Sequence, residues 1–437
     1  MKCPECNQEW NGYWCKPCNS KHFQNDFNNW TSGNDKVDKF IQEAQLNANE
    51  YWKLIEWISY DRFKDIKQIG KGGFGTIHYA RWIDGPIDKW DIENQQWERW
   101  GEKEVALKKF DNFVNFNDIL NEMEIHLKTN NKYGSIQFYG ITQDPETHSY
   151  LMVLDYAADG NLREYLKANF NNINWFQKLL NLYILSVRLT DIHKLDIVHQ
   201  DFHPGNILSN NFKSSLYITD FGLSKLMGAN PNNPEKKNIF GVLPYIAPEV
   251  LSGDEKYTKA ADVYSFGIIA YEVITGFPPY PDIPHDKDLA MKICNGLRPK
   301  IPFHTPKLIT RMIMRCWDAR VTHRPTFKEL WNELYKYYDD YENYLEYEKN
   351  KDSEIVIQIK KAEEFSANQE STNTTTTTTT PLNYQTHPQA IYTSRLLNFS
   401  KLPKPKNEEN FERELEELMK STSALSIVAS KLHVPDF

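Results

Sequence analysis

The sequence is most informative at an octapeptide in the middle of the chain, His199-Gln200-Asp201-Phe202-His203-Pro204-Gly205-Asn206, and at two short motifs that follow it. These are Asp220-Phe221-Gly222 and Ala247-Pro248-Glu249. The three motifs contain acidic and amide side chains, among them Asp201, Asn206 and Asp220. Phosphoryl transfer requires that a polyphosphate be held, that its charge be neutralised by metal and a cation, and that the attacking hydroxyl be oriented.

A glycine-rich segment lies upstream, Gly70-Lys71-Gly72-Gly73-Phe74-Gly75-Thr76-Ile77. It predicts a strand-turn-strand whose backbone N–H groups approach phosphates without side-chain obstruction, although a glycine-rich hairpin also forms without any ligand. The later run Val105-Ala106-Leu107-Lys108 predicts a strand that ends in a lysine able to reach the phosphates. A buried lysine needs a partner charge, and we expect Glu122 to provide it, with Glu124 as the rival.

In this order and spacing the motifs resemble the eukaryotic protein kinase family over about residues 60–338. The resemblance implies an α+β, two-lobed protein kinase fold, with a sheet-rich N-lobe (about 60–156) and a helical C-lobe (about 157–338). It further implies that Asp201 is the catalytic base, that Asn206 and Asp220 bind Mg²⁺, and that Lys108, held by Glu122, contacts the phosphates of ATP. The other residues expected to bind ATP belong to the glycine-rich strands, the adenine pocket and the hinge: Gly70, Gly72, Gly75, Ile77, Ala106, Asp155, Ala157 and Leu208.

Further positions match structural roles of the same family. Asp262 resembles the aspartate that anchors the catalytic loop, and Arg324 resembles the arginine that pairs with Glu249. Leu154 matches the residue at the back of the adenine pocket.

The activation segment departs from the common pattern. Gln200 stands where many kinases carry the arginine that binds a phosphorylated activation loop, so a phosphate there would lack a strong local partner. Between Asp220 and Glu249 the only hydroxyl side chains are Ser224 and Tyr245. We therefore expect a non-RD kinase whose activation does not depend on phosphorylation of this loop.

Other positions bear on the class of hydroxyl that accepts the phosphate. His203 and Val242 replace a lysine and a threonine that serine/threonine kinases usually carry, and the pair does not match tyrosine kinases either. The runs 262–276 and 316–326 resemble the tyrosine-kinase-like group, whose members mostly modify serine and threonine, so a serine/threonine kinase is the expectation. The alternatives are a tyrosine or dual-specificity kinase, a non-catalytic scaffold, and a small-molecule phosphotransferase, although the last generally lacks the Ala247-Pro248-Glu249 motif.

The N-terminal segment 1–22 contains two Cys-x-x-Cys pairs, Cys3/Cys6 and Cys15/Cys18, separated by eight residues. Four thiolates on two tight turns predict a structural, tetrahedral Zn²⁺ site, with four free cysteines as the alternative. His22 is expected to be a bystander that could replace a cysteine ligand. The charges around the cysteines are mixed, so this head favours a protein partner over nucleic acid.

Composition and charge bear on which classes of partner the protein binds. The chain has 437 residues, 40% of them hydrophobic, and a formal net charge of −8, which gives no general attraction to nucleic acid or acidic lipid. The sequence shows neither a secretory signal nor an apolar run long enough for a membrane span, so we expect a soluble, cytoplasmic protein with protein substrates and no membrane partner.

The sequence pattern supports interpretations of three further regions, two outside the kinase-like body and one within its N-lobe. Residues 23–59 predict a helical connector with a helix at about 35–48, and the tryptophan-rich stretch 81–101 predicts a long hairpin whose tryptophans pack locally, or a docking surface. The tail, 339–437, is expected to be largely disordered around the threonine run 374–380, with a possible short helix at 410–420 that could dock onto a partner surface.

Overall fold

The computed structural model describes residues 1–10, 12–72, 75–110, 116–130, 135–226, 239–254, 256–372, 386–399 and 401–420. The chain divides into two compact units, which we call the sheet unit (1–158 and 217–222) and the helical unit (159–216 and 223–437). The helices are α1 Lys16–Asp26, α2 Asp35–Asn47, α3 Phe116–Thr129, α4 Leu162–Asn169, α5 Trp175–Lys194, α6 Pro248–Ser252, α7 Lys259–Thr275, α8 Lys287–Cys294, α9 Lys307–Cys316, α10 Phe327–Tyr347, α11 Glu354–Thr372 and α12 411–420. The strands are β1 Glu56–Trp57, β2 Phe63–Lys71, β3 Gly75–Trp82, β4 Ile87–Asp91, β5 Gln96–Arg99, β6 Lys103–Phe110, β7 Phe138–Gln143, β8 Tyr150–Asp155, β9 Ile197–Val198, β10 Ile207–Leu208, β11 Tyr217–Ile218, β12 Lys225–Leu226, β13 Ile239–Gly241 and β14 Arg395–Leu397.

The sheet unit is built on a six-stranded sheet in the order β1-β7-β8-β6-β3-β2. Only the β1–β7 pair in this sheet is parallel. Side chains alternate between faces along a strand, so Val105 and Leu107 of β6 join one core cluster while Ala106 and Lys108 point to the other face. This alternation is what presents the lysine of the Val105–Lys108 motif away from the main apolar cluster.

The connector is not entirely helical, which corrects the sequence prediction. Helix α2 lies close to the predicted position, but Glu56 and Trp57 form a strand that extends the sheet through Gly140 and Ile141. Gly140 has φ +156°, and a Cβ atom there would lie 2.1 Å from the carbonyl oxygen of Glu56. Only glycine permits this approach, and the pairing is between distant parts of the chain, so periodicity gave no sign of it.

The tryptophan-rich stretch forms the β4–β5 hairpin, and its rings pack against the N-terminal helices. Trp97 stacks on Phe23 and Trp14 with ring centroids 4.4 and 6.0 Å apart, and Trp90 stacks on His22 at 3.9 Å. The predicted hairpin is present, but the expectation that its tryptophans pack locally is wrong for Trp90 and Trp97, which contact the N-terminal segment within the sheet unit.

The helical unit has α5 and α7 at its core. Fourteen of the seventeen residues of α7 are buried, and the long helix α10 packs along α5. Among the helices of the described residues, none has the length and apolar character needed to cross a bilayer.

The tail contains more regular structure than the sequence predicted. Helix α11 buries Ile355, Val356, Ile359 and Ala362, so the expectation of a largely disordered tail is wrong for this part. Residues 386–399 also form ordered contacts, and α12 occupies the position of the predicted short helix, burying Phe411. The threonine run 374–380 lies outside the described residues.

Candidate active site

Lys108 of β6 is a buried lysine that pairs with two carboxylates of the sheet unit. Only 5% of Lys108 and 1% of Glu122 is exposed, and the Lys108 ammonium donates a hydrogen bond to the Glu122 carboxylate. A second bond reaches Asp220 Oδ1 at 2.8 Å. Burial alone would lower the pKa of Lys108, but the carboxylates of Asp220 and Glu122 outweigh it and raise the pKa, so the lysine stays charged.

Helix α3 selects between the two candidate glutamates. Glu122 belongs to its buried face, whereas Glu124 is exposed and pairs with Lys128 at 2.6 Å, one turn further along the helix. The structure thus contains the expected Lys108–Glu122 pair and excludes the rival.

Asp220 begins the Asp220-Phe221-Gly222 motif in an uncommon backbone conformation, with φ +63°. Phe221 is fully buried, and its ring meets the ring of His126 edge-on at 4.9 Å between centroids. A Cβ atom on Gly222 would lie 3.1 Å from Glu122 Oε2, so the glycine lets this segment approach the ion pair. These contacts hold the Asp220 carboxylate beside the lysine.

The glycine-rich segment forms the β2–β3 turn, with Gly73 and Phe74 outside the described residues. The N–H of Gly72 donates to the carbonyl of Gly75 at 2.8 Å, which closes the turn. A Cβ atom on Gly75 would lie 2.1 Å from the carbonyl oxygen of Lys109, whereas at Gly70 and Gly72 the nearest atoms are 3.9 Å away. Gly75 is therefore required by packing against β6, while the space at Gly70 and Gly72 is open.

The residues expected to contact adenine fall in both units. Ala106 pairs with Leu154 in the β6–β8 register, and Ile77 pairs with Lys108 in the β3–β6 register. The N–H of Asp155 donates to the carbonyl of Gln137 at 2.9 Å, and Lys103 lies 2.9 Å from its carboxylate. Asp155 ends β8, and the buried Ala157 follows it within the sheet unit. Leu208 belongs to the helical unit, where it forms an isolated β-bridge with Asn161.

The loop that carries Asp201 is anchored by hydrogen bonds to Asp262, which lies in the first turn of α7. The Asp262 carboxylate accepts hydrogen bonds from the backbone N–H groups of His199 at 2.9 Å and Gln200 at 3.2 Å. His193 Nε2 lies 2.9 Å from the same carboxylate. Gln200 has φ +68°, so the buried acceptor fixes the loop at a strained position.

Asp201 and Asn206 lie together within the helical unit. The Asn206 amide nitrogen donates to the Asp201 carbonyl at 2.9 Å and approaches its carboxylate at 3.4 Å. Because the nitrogen is the donor in both contacts, the Asn206 oxygen is the atom that could bind Mg²⁺. The bond between these residues sets the relative orientation of the Asp201 carboxylate and the candidate metal ligand.

A residue of the tail also reaches Asp201, and sequence reasoning missed it. The Ser394 hydroxyl donates to Asp201 Oδ2 at 2.5 Å and lies 3.2 Å from His203 Nε2. The two residues are 193 positions apart, and no motif around Ser394 announces the contact.

The two hydroxyls of the activation segment are both buried. Ser224 donates to the carbonyl of His199 at 2.9 Å. Tyr245 donates to the Glu272 carboxylate and accepts a bond from Arg163 at 2.9 Å. Burial raises the pKa of Tyr245 well above its ordinary value. Both hydroxyls therefore serve the internal packing of the helical unit.

The third motif ends in a buried ion pair. Arg324 binds Glu249 with two parallel bonds of 2.7 and 2.8 Å, and both residues are less than a tenth exposed. This bidentate geometry fixes the short helix α6 that follows the activation segment.

The four N-terminal cysteines form a compact cluster. All four Sγ atoms lie within 4.8 Å of one another, with Cys3–Cys18 at 3.7 Å and Cys6–Cys15 at 3.6 Å. Zn–S bonds of about 2.3 Å in a tetrahedron require sulfurs about 3.8 Å apart, so the donor set fits Zn²⁺. His22 lies outside the cluster and pairs with Glu5 at 2.9 Å.

Comparison with known proteins places these observations in a family. Residues 63–334 match the family model described as protein tyrosine and serine/threonine kinase. A putative serine/threonine-protein kinase/receptor, R831, of Acanthamoeba polyphaga mimivirus is 30% identical over 305 residues, covering 69% of this chain and 17% of the relative. The tyrosine-protein kinase SPK-1 of Girardia tigrina is 28% identical over 279 residues, covering 62% and 52%. The dual specificity protein kinase pyk3 of Dictyostelium discoideum is 24% identical over 310 residues, covering 70% and 21%. The chain therefore spans about half or less of the length of these relatives.

Proposed function

Because the chain belongs to the protein tyrosine and serine/threonine kinase family, we propose that it is an active kinase that transfers the γ-phosphate of ATP to serine and threonine hydroxyls of proteins. The observation that carries this proposal is the set of hydrogen bonds around the buried Asp201 carboxylate. It is buried, oriented by Asn206, and accepts a hydrogen bond from a serine hydroxyl. A carboxylate in this arrangement can orient an acceptor hydroxyl and take its proton.

The other half of the reaction is assigned to the charged groups around the nucleotide. In the proposal, Lys108 contacts the phosphates of ATP, and Glu122 keeps its ammonium in place. Asp220 and Asn206 supply the oxygen ligands for Mg²⁺, which when bound neutralises the charge of the phosphates. Gly70, Gly72, Ile77, Ala106, Leu154, Asp155, Ala157 and Leu208 are assigned to the ATP pocket, with Gly75 shaping the glycine-rich turn.

The proposed acceptor class rests on two supports. The helical-unit runs 262–276 and 316–326 resemble the tyrosine-kinase-like group, and the hydroxyl next to Asp201 belongs to a serine. The relatives carry serine/threonine, tyrosine and dual-specificity names, so tyrosine transfer is the second candidate.

We also propose that this kinase is of the non-RD type and works without a phosphorylated activation segment. Gln200 offers no guanidinium to a phosphate, and the hydroxyls of Ser224 and Tyr245 are held in internal hydrogen bonds. Adding a phosphate to either would require opening the packed helical unit.

The cysteine cluster is proposed to bind a structural Zn²⁺. Cys3 starts a tight turn in which its carbonyl accepts the Asn7 N–H at 2.8 Å, while Cys15 and Cys18 lie at the beginning of α1. Closed four-cysteine sites hold a fold and leave no position for substrate. The metal would fix the helix that the β4–β5 hairpin packs against, and the resulting surface is a candidate site for a protein partner.

The proposed acceptor preference is tested with labelled ATP, Mg²⁺ and three peptide libraries that carry serine, threonine or tyrosine as the only hydroxyl. Label in the serine and threonine libraries supports the proposal. Label confined to the tyrosine library would overturn the acceptor class while leaving the kinase assignment intact.

A further inference from the structure

We propose that Ser394 is an intramolecular substrate of this kinase, and that residues 390–397, which we call the tail strap, present it to Asp201. The inference rests on the proposed kinase function. It adds a phosphorylation site within the chain and the sequence around that site that the kinase recognises.

The tail strap is bound as an added strand. β14 pairs antiparallel with β13, so that Leu397 lies opposite Ile239 and Arg395 lies opposite Gly241. β13 belongs to the segment between Asp220 and Glu249, and pairing of an extended peptide with such an edge is a common mode of peptide recognition. Leu397 is 4% exposed, which makes it the apolar anchor of the strand.

Polar contacts on the other side fix the position of the strap along its axis. His285 Nδ1 lies 3.0 Å from the carbonyl of Ile391, and Arg395 donates to the carbonyl of His285. Arg163 donates to the carbonyl of Tyr392 at 3.0 Å. These bonds hold the backbone carbonyls of Ile391 and Tyr392 near one end of the strap and the side chain of Arg395 near the other, so they set which residue faces Asp201.

Three consecutive hydroxyl residues occur in the strap, and the structure distinguishes them. Tyr392 donates its hydroxyl to the carbonyl of Pro279 at 2.8 Å, and Thr393 is exposed. Ser394 alone among the three bonds to the Asp201 carboxylate. The register therefore selects a serine.

The hydrogen bonds at Ser394 also define its chemistry. His203 Nδ1 accepts the N–H of Gly205 at 3.1 Å, so the hydrogen of a neutral ring lies on Nε2 and is donated to Ser394 Oγ at 3.2 Å. The serine then gives its only hydrogen to Asp201, and one lone pair remains free. In the proposed step this lone pair forms a bond to the γ-phosphorus of ATP, the bond from that phosphorus to the β–γ bridging oxygen breaks, ADP leaves, and the hydroxyl proton passes to Asp201.

The product has a predictable effect on the strap. Phosphoserine carries close to two negative charges at neutral pH, and here it would stand beside the Asp201 carboxylate. Repulsion between them disfavours the docked strap, so phosphorylation of Ser394 releases the position that the strap occupied.

The test uses dephosphorylated protein comprising residues 1–437 with Mg²⁺ and ATP, and phosphorylated residues are mapped by mass spectrometry over time. We expect phosphate on Ser394 with a first-order rate that does not change with protein concentration, because a tethered acceptor has an effective concentration of about millimolar. Ser394→Ala abolishes this signal, whereas the matched variant Thr393→Ala retains it. A rate proportional to protein concentration would overturn the intramolecular assignment.

A second variant removes the anchor and leaves the acceptor. Leu397→Asp places a charge in a buried site, so Ser394 phosphorylation slows about tenfold or more while transfer to a free peptide is retained or increased. Peptide transfer without any phosphate on Ser394, or unchanged Ser394 phosphorylation in Leu397→Asp, would refute the role of the strap. No transfer to peptide by either wild type or Leu397→Asp would instead refute the proposed kinase function.

Discussion

Replacing Lys108 by methionine is expected to destabilise the sheet unit strongly. Methionine retains much of the aliphatic volume of lysine but removes the cation that serves both Glu122 and Asp220. Glu122 is 1% exposed, so its carboxylate would remain buried without its partner, whereas the Asp220 side chain is 29% exposed and can be solvated. The cost therefore comes mainly from one carboxylate.

The loss in unfolding free energy caused by Lys108→Met can be estimated from measurements on buried ion pairs in other proteins. Removing one partner of a buried ion pair costs about 3–5 kcal/mol, and the partial access of water to Asp220 favours the lower value, about 3 kcal/mol. For a unit of this size that corresponds to a fall in Tm of about 6–12 °C. The double variant Lys108→Met/Glu122→Leu removes both charges, so most of the loss should be recovered.

The assay is thermal unfolding of the purified proteins without nucleotide, followed by tryptophan fluorescence. Lys128→Met is the matched control, because it breaks the exposed Lys128–Glu124 pair, which is worth about 0.5 kcal/mol or less. Equal Tm values for Lys108→Met and Lys128→Met would refute the reasoning. So would a double variant that is less stable than Lys108→Met.

Two further predictions concern other parts of the chain. Cys18→Ser should lower the zinc content measured by atomic emission from about one ion per chain, whereas Cys294→Ser, which alters a buried cysteine of the helical unit, should retain the metal; equal zinc in the two variants would contradict the site. Complete dephosphorylation should leave peptide phosphorylation within about twofold once the tail strap has been released by Leu397→Asp, because the Ser224 and Tyr245 hydroxyls are internal. An inert dephosphorylated enzyme that regains activity with phosphate on either residue would show that the loop is a switch.

Much of the geometry of the candidate active site was predictable because its residues belong to short sequence motifs. A lysine on a buried strand needs a carboxylate partner, and the helical register of α3 places Glu122 rather than Glu124 on the buried face. The strand itself continues past Lys108 to Phe110, which the sequence did not predict. The cysteine cluster was predictable for a similar reason, since two Cys-x-x-Cys turns bring four sulfurs together with few arrangements open to them.

The features that the sequence did not predict are mainly contacts between segments that lie far apart in the chain. Glu56 and Trp57 join the sheet because Gly140 admits a close backbone, and no local pattern encodes that register. Helix α11 did carry a signal, since its buried residues Ile355, Val356 and Ile359 recur at helical spacing, but the polar residues that follow masked it. Ser394 had no such signal, because its partner lies far away in the sequence and its neighbours form no motif.

The most direct test of the account is phosphoryl transfer by wild type and by Asp201→Asn. The variant keeps the size of the side chain and its bond to Asn206 but cannot accept a proton. The account predicts a loss in kcat of about 10²–10⁴-fold, with ATP affinity unchanged. Equal turnover by the two proteins would contradict it.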